Sequence, residues 1–443
     1  MPVFLATDLL FWLLLAAIAG YGGYCSRRPH LAAPWRRVFQ SKAAVISSVV
    51  LAGYLLVGLA DSIHFRPRLE DGRAYSPEVL SVLDLALRDL RERRERTYSA
   101  PLATRLYAKE LIEEGGKQVR DFPRLRYGGA HLEDEGEKLR DVYSAIGLGL
   151  LGAAAAAIFI ALLARRLQKK RPEVPWRAAG ATLVCIFSVL VPIFLLSRGY
   201  HVLGTDKVGQ DVLYLSLKSV RISLIIGTLT TLVLLPLGIA LGIMAGYFRG
   251  WVDDLIQYLY TTLNSIPGVL LIAAAVLMLQ VLLDRHADLF PTAAQRADMR
   301  LLALCAILGL TSWTGLARLL RGEALKLSQL EYIQAAHAFG VADARILGRH
   351  ILPNVAHIVI IAMVMDFSGL VLAEAVLSYV GVGVDPSTTS FGTMINAARL
   401  EMGREPIVWW SLAAAFAFMF VLVLAANLFA DAVRDGFDPR VRI

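Results

Sequence analysis

Residues 328–354 read SQLEYIQAAHAFGVADARILGRHILPN, and they lie between two apolar blocks that are each long enough to cross a bilayer. A connector between membrane helices needs only a few polar residues, whereas this one is long and patterned. Ser328-Gln329-Leu330-Glu331 has the spacing of a capping box, which predicts a helix starting there. That helix would carry Ile333, Gln334, Ala335, Ala336 and Phe339, and Gly340 is placed to end it by taking a positive φ. Asp343 is expected to cap a second short helix holding Arg345, Ile346, Leu347 and Ile351, and Leu352-Pro353-Asn354 leads into the next apolar block. The expectation is two short helices joined at a glycine on one membrane face. A short helix seated in a partner's groove is a handle that a separate motor can grip. Ala335 and Ala336 supply a low-relief face, and Arg345 and Arg349 suit acidic groups on a partner.

Outward from this stretch, 56% of the 443 residues are hydrophobic, gathered in blocks rather than spread. About nine blocks approach the ~20 residues that a helical crossing needs. They fall near 3–24, 43–60, 144–164, 178–197, 222–246, 254–283, 300–318, 355–380 and 408–430. Lipid offers no partners to open backbone groups, so helices are expected throughout and the fold class is all-α, a polytopic bundle. The net charge of +8 comes mostly from Lys and Arg flanking these blocks, which argues for membrane orientation and against nucleic acid. The loop after the first block carries Arg27, Arg28, Arg36, Arg37 and Lys42 without an acid. The loop after the third carries Arg165, Arg166, Lys169, Lys170, Arg171 and Arg177. By the positive-inside rule both are cytoplasmic. Alternation then places 319–354 and the tail with Arg434, Arg440 and Arg442 inside, and 61–143, 198–221, 284–299 and 381–407 outside. The N-terminus is out and the C-terminus in. Val3–Tyr24 carries Asp8 in place of a basic n-region, and Arg27-Arg28 stands where a small-residue cleavage site would lie, so it reads as a retained helix.

The one sizeable soluble piece, 61–143, is expected to be helical. Ser76-Pro77-Glu78 resembles a helix start, with Val79, Leu80, Val82, Leu83, Leu87 and Leu90 at helical spacing behind it. A second helix is expected from Pro101 to Glu114, ended by Gly115-Gly116. Acids and bases nearly cancel here, which fits a solvated hairpin padding the outer face; a docking surface for an external partner is the other reading.

No catalytic, cofactor-binding or metal-binding residues are expected. Gly115-Gly116-Lys117 lacks the spacing of a phosphate loop, and neither GxSxG nor HExxH occurs. Cys25, Cys185 and Cys305 read as buried small hydrophobes, and His30, His201, His286 and His357 as scattered surface or interfacial residues. Asp366 and Glu374 stand inside an apolar block, where charge is costly. They either lie on a substrate path, where a peptide amine would be recognised, or pair at a helix interface. Pro267, flanked by Asn264, Ser265 and Gly268, either shapes a lined cavity or is merely tolerated.

The 328–354 stretch resembles the cytoplasmic signature of the inner-membrane permeases of binding-protein-dependent ABC importers, in their dipeptide, oligopeptide and nickel branch. Gln334-Ala335-Ala336 stands for the family's EAA triplet, Gly340 follows after three intervening residues, and Leu352-Pro353 falls in register. Gln334 replaces the family's Glu and His350 its Ile. Three further segments resemble the branch: Gly204-Thr205-Asp206-x-x-Gly209-Gln210-Asp211, Gly246-Tyr247-Phe248-x-Gly250-Trp251-x-Asp253, and Glu374-Ala375-x-Leu377-Ser378-Tyr379-x-Gly381-x-Gly383. Together they cover about 200–435 in the family's order.

The resemblance implies a type I ABC importer permease with a core of six helices, one of them the core-like helix of 1–60 and the others in the permease core segment 198–443, which carries a coupling loop at 319–354. Ahead of it would stand an added helix and a first core-like helix in 1–60, the insert 61–143, and an extra helix pair in 144–197. It implies ATPase coupling through Glu331, Gln334, Ala335, Ala336, Gly340, Arg345, Leu352 and Pro353, and Asn264, Ser265, Pro267 and Asp366 are candidates for the translocation path. It also implies separate ABC ATPase subunits, a homologous second permease, an extracytoplasmic substrate-binding protein, a place in the bacterial inner membrane, and peptide cargo. An ion-coupled secondary transporter, or an ABC permease for nickel or another small solute, is the alternative. A secondary transporter predicts inverted repeats, which the hydropathy does not display, and leaves the glycine-hinged handle unexplained.

Overall fold

The computed structural model describes residues 1–68, 75–114, 117–286 and 292–437. A short strand β1 (Pro2–Val3) precedes the helices α1 (Ala6–Ser26), α2 (Pro29–Val38) and α3 (Lys42–Ser62). A mixed segment follows with β2 (His64–Phe65), β3 (Leu80–Ser81), α4 (Val82–Ala86), α5 (Arg88–Glu92), β4 (Glu110–Glu114) and β5 (Lys117–Asp121). Long helices then resume as α6 (Lys138–Lys170), α7 (Trp176–Leu196), α8 (Val212–Phe248), α9 (Gly250–Ser265), α10 (Gly268–Arg285), α11 (Ala293–Ser312) and α12 (Thr314–Leu327). Last come α13 (Glu331–Ala338), α14 (Asp343–Ile346), α15 (Leu352–Val380), α16 (Phe391–Glu401) and α17 (Trp410–Phe437). Among the described residues, 8 helical stretches are long and apolar enough to cross a membrane, or 9 if α9 and α10 together make one span.

The chain is an all-α membrane bundle, with departures from the expected boundaries. The block 254–283 is not one straight helix, because α9 and α10 meet at a bend of 89°. Pro267 is the cause. It offers no N–H and disfavours helical backbone in the residue before it, and Ile266 is extended at φ −91, ψ 131. The helix of the 222–246 block begins earlier, at Val212, so the last ten residues of the 198–221 segment are the first turns of α8.

One compact unit comprises residues 1–4, 36–223 and 388–428. In it α6 and α7 pack as an antiparallel hairpin, with Gly149 pressed against Pro192 and Gly180 against Ala164. α3 lies on α7, and the Tyr54 hydroxyl donates to the Phe418 carbonyl at 2.8 Å. β1, β2 and β3 form a small antiparallel sheet.

The insert differs from expectation. No helix starts at Ser76; Ser81 caps α4 instead, through a capping box with Asp84. No helix runs from Pro101 to Glu114. Glu110–Glu114 pairs with Lys117–Asp121 as a hairpin, with Ile112 opposite Val119 and Glu114 opposite Lys117. Two five-residue runs around a two-residue gap suit a tight hairpin better than a helix stop. Gly115-Gly116 itself lies outside the described residues.

The second unit comprises 5–35, 224–387 and 429–443. α1 lies on α11, where Asp298 accepts from the backbone N–H groups of Ala6 (2.7 Å) and Thr7 (3.3 Å), and from the Thr7 hydroxyl. Those N–H groups have no partner within α1 itself. α8 and α12 approach closely through a glycine stripe. A Cβ at Gly242 would stand 2.6 Å from the Ala317 carbonyl oxygen, and one at Gly246 2.4 Å from that of Arg321. Gly238, Gly242 and Gly246 follow the four-residue spacing of close membrane-helix packing, a signal that is legible in the sequence and absent from the expectations above.

Candidate functional site

The 328–353 segment folds as two short helices joined at Gly340, but they are capped differently from expectation. α12 continues to Leu327, so Ser328 is helical (φ −63, ψ −18) and serves as that helix's C-cap. An N-cap needs extended backbone, and Leu330 (φ −70, ψ 141) takes that place with no side-chain acceptor. The Ser328 hydroxyl donates to the Leu325 carbonyl at 2.8 Å and accepts from Arg249 at 3.0 Å. Glu331, in the first turn of α13, complements its positive end.

α13 ends in a Schellman turn. Gly340 has φ +73, its N–H donates to the His337 carbonyl at 3.0 Å, and the Val341 N–H donates to that of Ala336 at 3.1 Å. Asp343 is the first residue of α14 rather than its cap, a place taken by Ala342. Its carboxylate accepts from the Tyr247 hydroxyl at 2.7 Å, which ties α14 to the end of α8. α14 runs through a widened π turn (Leu347–Ile351) into α15. Pro353 lies just beyond that turn and cannot donate to the carbonyl four residues back.

The handle is therefore continuous with a membrane helix. Ile333, Ile346 and Ile351 are fully buried in one cluster with Leu234, Trp313, Leu320 and Val355. Burying such a side chain is worth about 1.5–3 kcal/mol, so three anchors hold the segment firmly. Its outer surface is free of this packing. Glu331, Gln334, Ala335, Gly340, Arg345, Leu352 and Pro353 are exposed, and Ala336 is half-buried against the cluster. The exposed Gln334 turns back to donate to the Gln329 carbonyl at 3.2 Å. Phe339 is 87% exposed, a large apolar group that its spacing places in the helix but that is not among the expected contacts.

Residues 204–211 form a tight turn that uses the insert. Thr205 and Asp211 are bridge partners, and Gly204 and Gly209 take φ +74 and +73. Thr205 Oγ1 accepts from the Ser99 N–H at 2.7 Å, and its carbonyl accepts from the Trp410 indole at 2.9 Å. Asp211 starts α8 by accepting from the Leu213 and Tyr214 N–H groups. His201, expected at a surface or interface, is buried here. Its Nδ1 lies 2.8 Å from Asp211 and its Nε2 3.5 Å from Glu95. Burial opposes the imidazolium, but the two carboxylates outweigh it and raise the pKa to about 9. Burial likewise opposes the Glu95 carboxylate, but His201 and the N–H groups of Arg126, Tyr127 and Gly128 bring it down to about 2. Of the partners of His201, Asp211 lies ten residues on, but Glu95 comes from a distant stretch of chain, and single-sequence spacing carries no sign of that contact.

In the Gly246–Asp253 segment, Arg249 and Gly250 both have φ +54, and Asp253 makes a two-pronged pair with Arg321 at 2.6 Å for each bond. In the 374–383 segment, buried Glu374 accepts from Ser378 at 2.7 Å and Gly381 ends α15 at φ +89. The path candidates are not drawn together by any bond. Asn264 accepts from the Thr314 hydroxyl at 3.2 Å, Ser265 donates to the Thr262 carbonyl, and Pro267 sits at the α9–α10 bend. Asp366 is half-buried on α15, without a hydrogen-bond partner among the described residues. Of the cysteines, Cys25 and Cys305 are buried but Cys185 is exposed, contrary to expectation, because it lies on the outer flank of the α6–α7 hairpin.

The profile of a family described as binding-protein-dependent transport system inner membrane component matches residues 238–443. The chain is 33% identical over 244 residues to the glutathione transport system permease protein GsiD of Pectobacterium atrosepticum, covering 55% of this chain and 73% of that one. It is 30% identical over 242 residues to the oligopeptide transport system permease protein OppC of Mycobacterium bovis (55% and 77%). It is 30% identical over 240 residues to the dipeptide transport system permease protein DppC of Lactococcus lactis subsp. cremoris (54% and 64%).

Proposed function

Because the chain belongs to the family of binding-protein-dependent inner-membrane transport components, we propose that it is the permease subunit through which an ABC importer passes di- or oligopeptides. The membrane-embedded fold and the family membership give the coarse function. The peptide cargo is supported by relatives whose names specify glutathione, dipeptides and oligopeptides.

The observation that carries the mechanism is the handle: exposed on its outer surface, anchored by three isoleucines, and running directly into α15. Separate ATPase subunits grip Glu331, Gln334, Ala335, Ala336, Gly340, Arg345, Leu352 and Pro353, with Phe339 filling an apolar socket. Nucleotide-driven closure of the motor then moves α13 and α14, and the widened turn before Pro353 passes that movement to α15. The handle faces the cytoplasm, with the N-terminus outside and the C-terminus inside. A homologous second permease completes the path, to which Asn264, Ser265, Pro267 and Asp366 contribute. An extracytoplasmic binding protein supplies the peptide.

The test is purification in mild detergent from cells carrying the cognate genes. The ATPase is expected to co-purify with the intact chain and to be lost when 328–353 is deleted. A thiol probe at Ala336 that reacted only from the extracytoplasmic side would refute the proposal.

A further inference from the structure

The α6–α7 hairpin leaves a groove of about 670 Å³ along one flank. Ala157, Ala161 and Arg165 line it from α6, and Arg177, Ala181 and Cys185 from α7. Each set repeats every four residues and so occupies one helical face. The cause is local: Gly180 and Ala164 let the helices touch, and the short side chains beside that contact leave a channel. Ala157 to Arg165 rises ~12 Å, close to the ~15 Å depth of one leaflet's hydrocarbon.

The groove is charged at one end only; Ser188, toward the other end, spends its hydroxyl on the Val184 carbonyl. α6 ends and α7 begins at the hairpin turn, so Arg165 and Arg177 share that end. Both are exposed, and neither has a carboxylate partner among the described residues. The adjacent Trp176 holds a buried indole N–H without an acceptor among the described residues. Arg166, Lys169, Lys170 and Arg171 add positive charge nearby, against Glu173. A cationic mouth over a mostly apolar channel complements an amphiphile with an anionic head.

We propose that this groove holds one acyl chain of an anionic phospholipid, with its phosphate between Arg165 and Arg177. Clustered basic residues at a membrane surface attract anionic lipid, and pockets between helices bind such headgroups. The placement in the inner leaflet rests on the orientation proposed above, whereas the binding does not.

The test is native mass spectrometry of the purified full chain titrated with phosphatidylglycerol, phosphatidylcholine or inorganic phosphate. Phosphatidylglycerol is expected to bind, phosphatidylcholine to bind far more weakly, and phosphate neither to bind nor to compete. Replacing both arginines (Arg165→Gln with Arg177→Gln) should weaken binding roughly thirtyfold, or about 2 kcal/mol at 1.4 kcal/mol per tenfold. The pair Arg166→Gln with Lys169→Gln removes equal charge beside the groove and should change binding by less than about threefold. Ala161→Phe keeps both arginines but fills the channel, and should also abolish retention; circular dichroism checks that it remains helical. Equal losses from both charge pairs, unchanged binding in Ala161→Phe, or displacement by phosphate would each overturn the proposal. None of these outcomes bears on the orientation, which the Ala336 probe decides.

Discussion

Gly340 offers the sharpest test of the handle, because its backbone and its surroundings make separable demands. Its φ of +73 lies in the left-handed region, and nothing stands within 4 Å of where a Cβ would be. Gly340→Ala therefore meets no clash and incurs only the backbone cost, about 1–2 kcal/mol. Gly340→Asn should cost less, since Asn adopts this conformation more readily and is the other residue found at such caps. Gly340→Pro cannot form the turn at all. Its φ is fixed near −65°, and it removes the N–H that donates to the His337 carbonyl, an expected loss of about 3 kcal/mol or more. Ile333, Ile346 and Ile351 should keep the bundle itself folded in every case. The assay is the fraction of ATPase that co-purifies, alongside uptake of a labelled peptide. The expected order is Gly, then Asn, then Ala, with Pro near zero, while each variant elutes as a single species in detergent. Wild-type ATPase retention by the Gly340→Pro variant would refute the reasoning, since the α13–α14 angle would then not be what the motor reads.

Three further outcomes follow from the structure. Gly209→Ala would place a Cβ 1.9 Å from the Glu95 carbonyl oxygen at a φ of +73, a strain of more than about 2 kcal/mol, and limited proteolysis should then cut within 75–143 faster than in the wild type. The stability that His201 contributes is fully present below its ordinary 6.5 and is lost as pH rises through about 9, so the apparent Tm should fall across that window, and His201→Gln should be less stable at pH 6 but lack the slope. Asp253→Asn breaks the two-pronged pair with Arg321, and should lower stability by about 1.5–3 kcal/mol by thermal unfolding in detergent without abolishing expression.

Signals that are local in sequence are legible in the residues alone. The apolar blocks mark the crossing helices because a bilayer sets their length, and Gly340 marks the turn because few residues tolerate its backbone. The capping box at Ser328 misleads because an N-cap motif says nothing about whether the preceding helix has already ended, and α12 runs to Leu327. Pro267 signals an interruption, but the 89° angle of the bend depends on what α9 and α10 pack against, which composition does not carry. In the insert, the helix expected over Pro101–Glu114 gives way to a hairpin that pairs Glu110–Glu114 with Lys117–Asp121, a partnership that a reading by helical spacing passes over. The His201 contacts are out of reach for a different reason. Glu95 is brought to it by tertiary folding, the ten residues to Asp211 match no ligand or helical spacing, and a lone histidine in a sequence looks the same in either setting.

The insert could have been padding, and its polar contacts argue against that. Padding would leave the adjoining core segment satisfied by itself. Instead Thr205 accepts from Ser99, and His201, which holds Asp211, has Glu95 on its other side. Lys218, early in α8, pairs with Asp61 at 2.6 Å and Asp84 at 2.9 Å. Burial opposes the Asp84 carboxylate, yet Lys218 and the hydrogen bonds from Ser81 and Tyr214 hold it below the usual range. α8 has 37 residues, about 55 Å of helix against the ~30 Å of a bilayer's hydrocarbon. Its first turns therefore extend beyond what lipid requires, and Lys218 belongs to that extension. A half-buried ammonium without these two carboxylates would face the cost of an unpaired charge. The long α8 and the 61–143 segment thus depend on each other, each supplying partners that the other's polar groups cannot find locally.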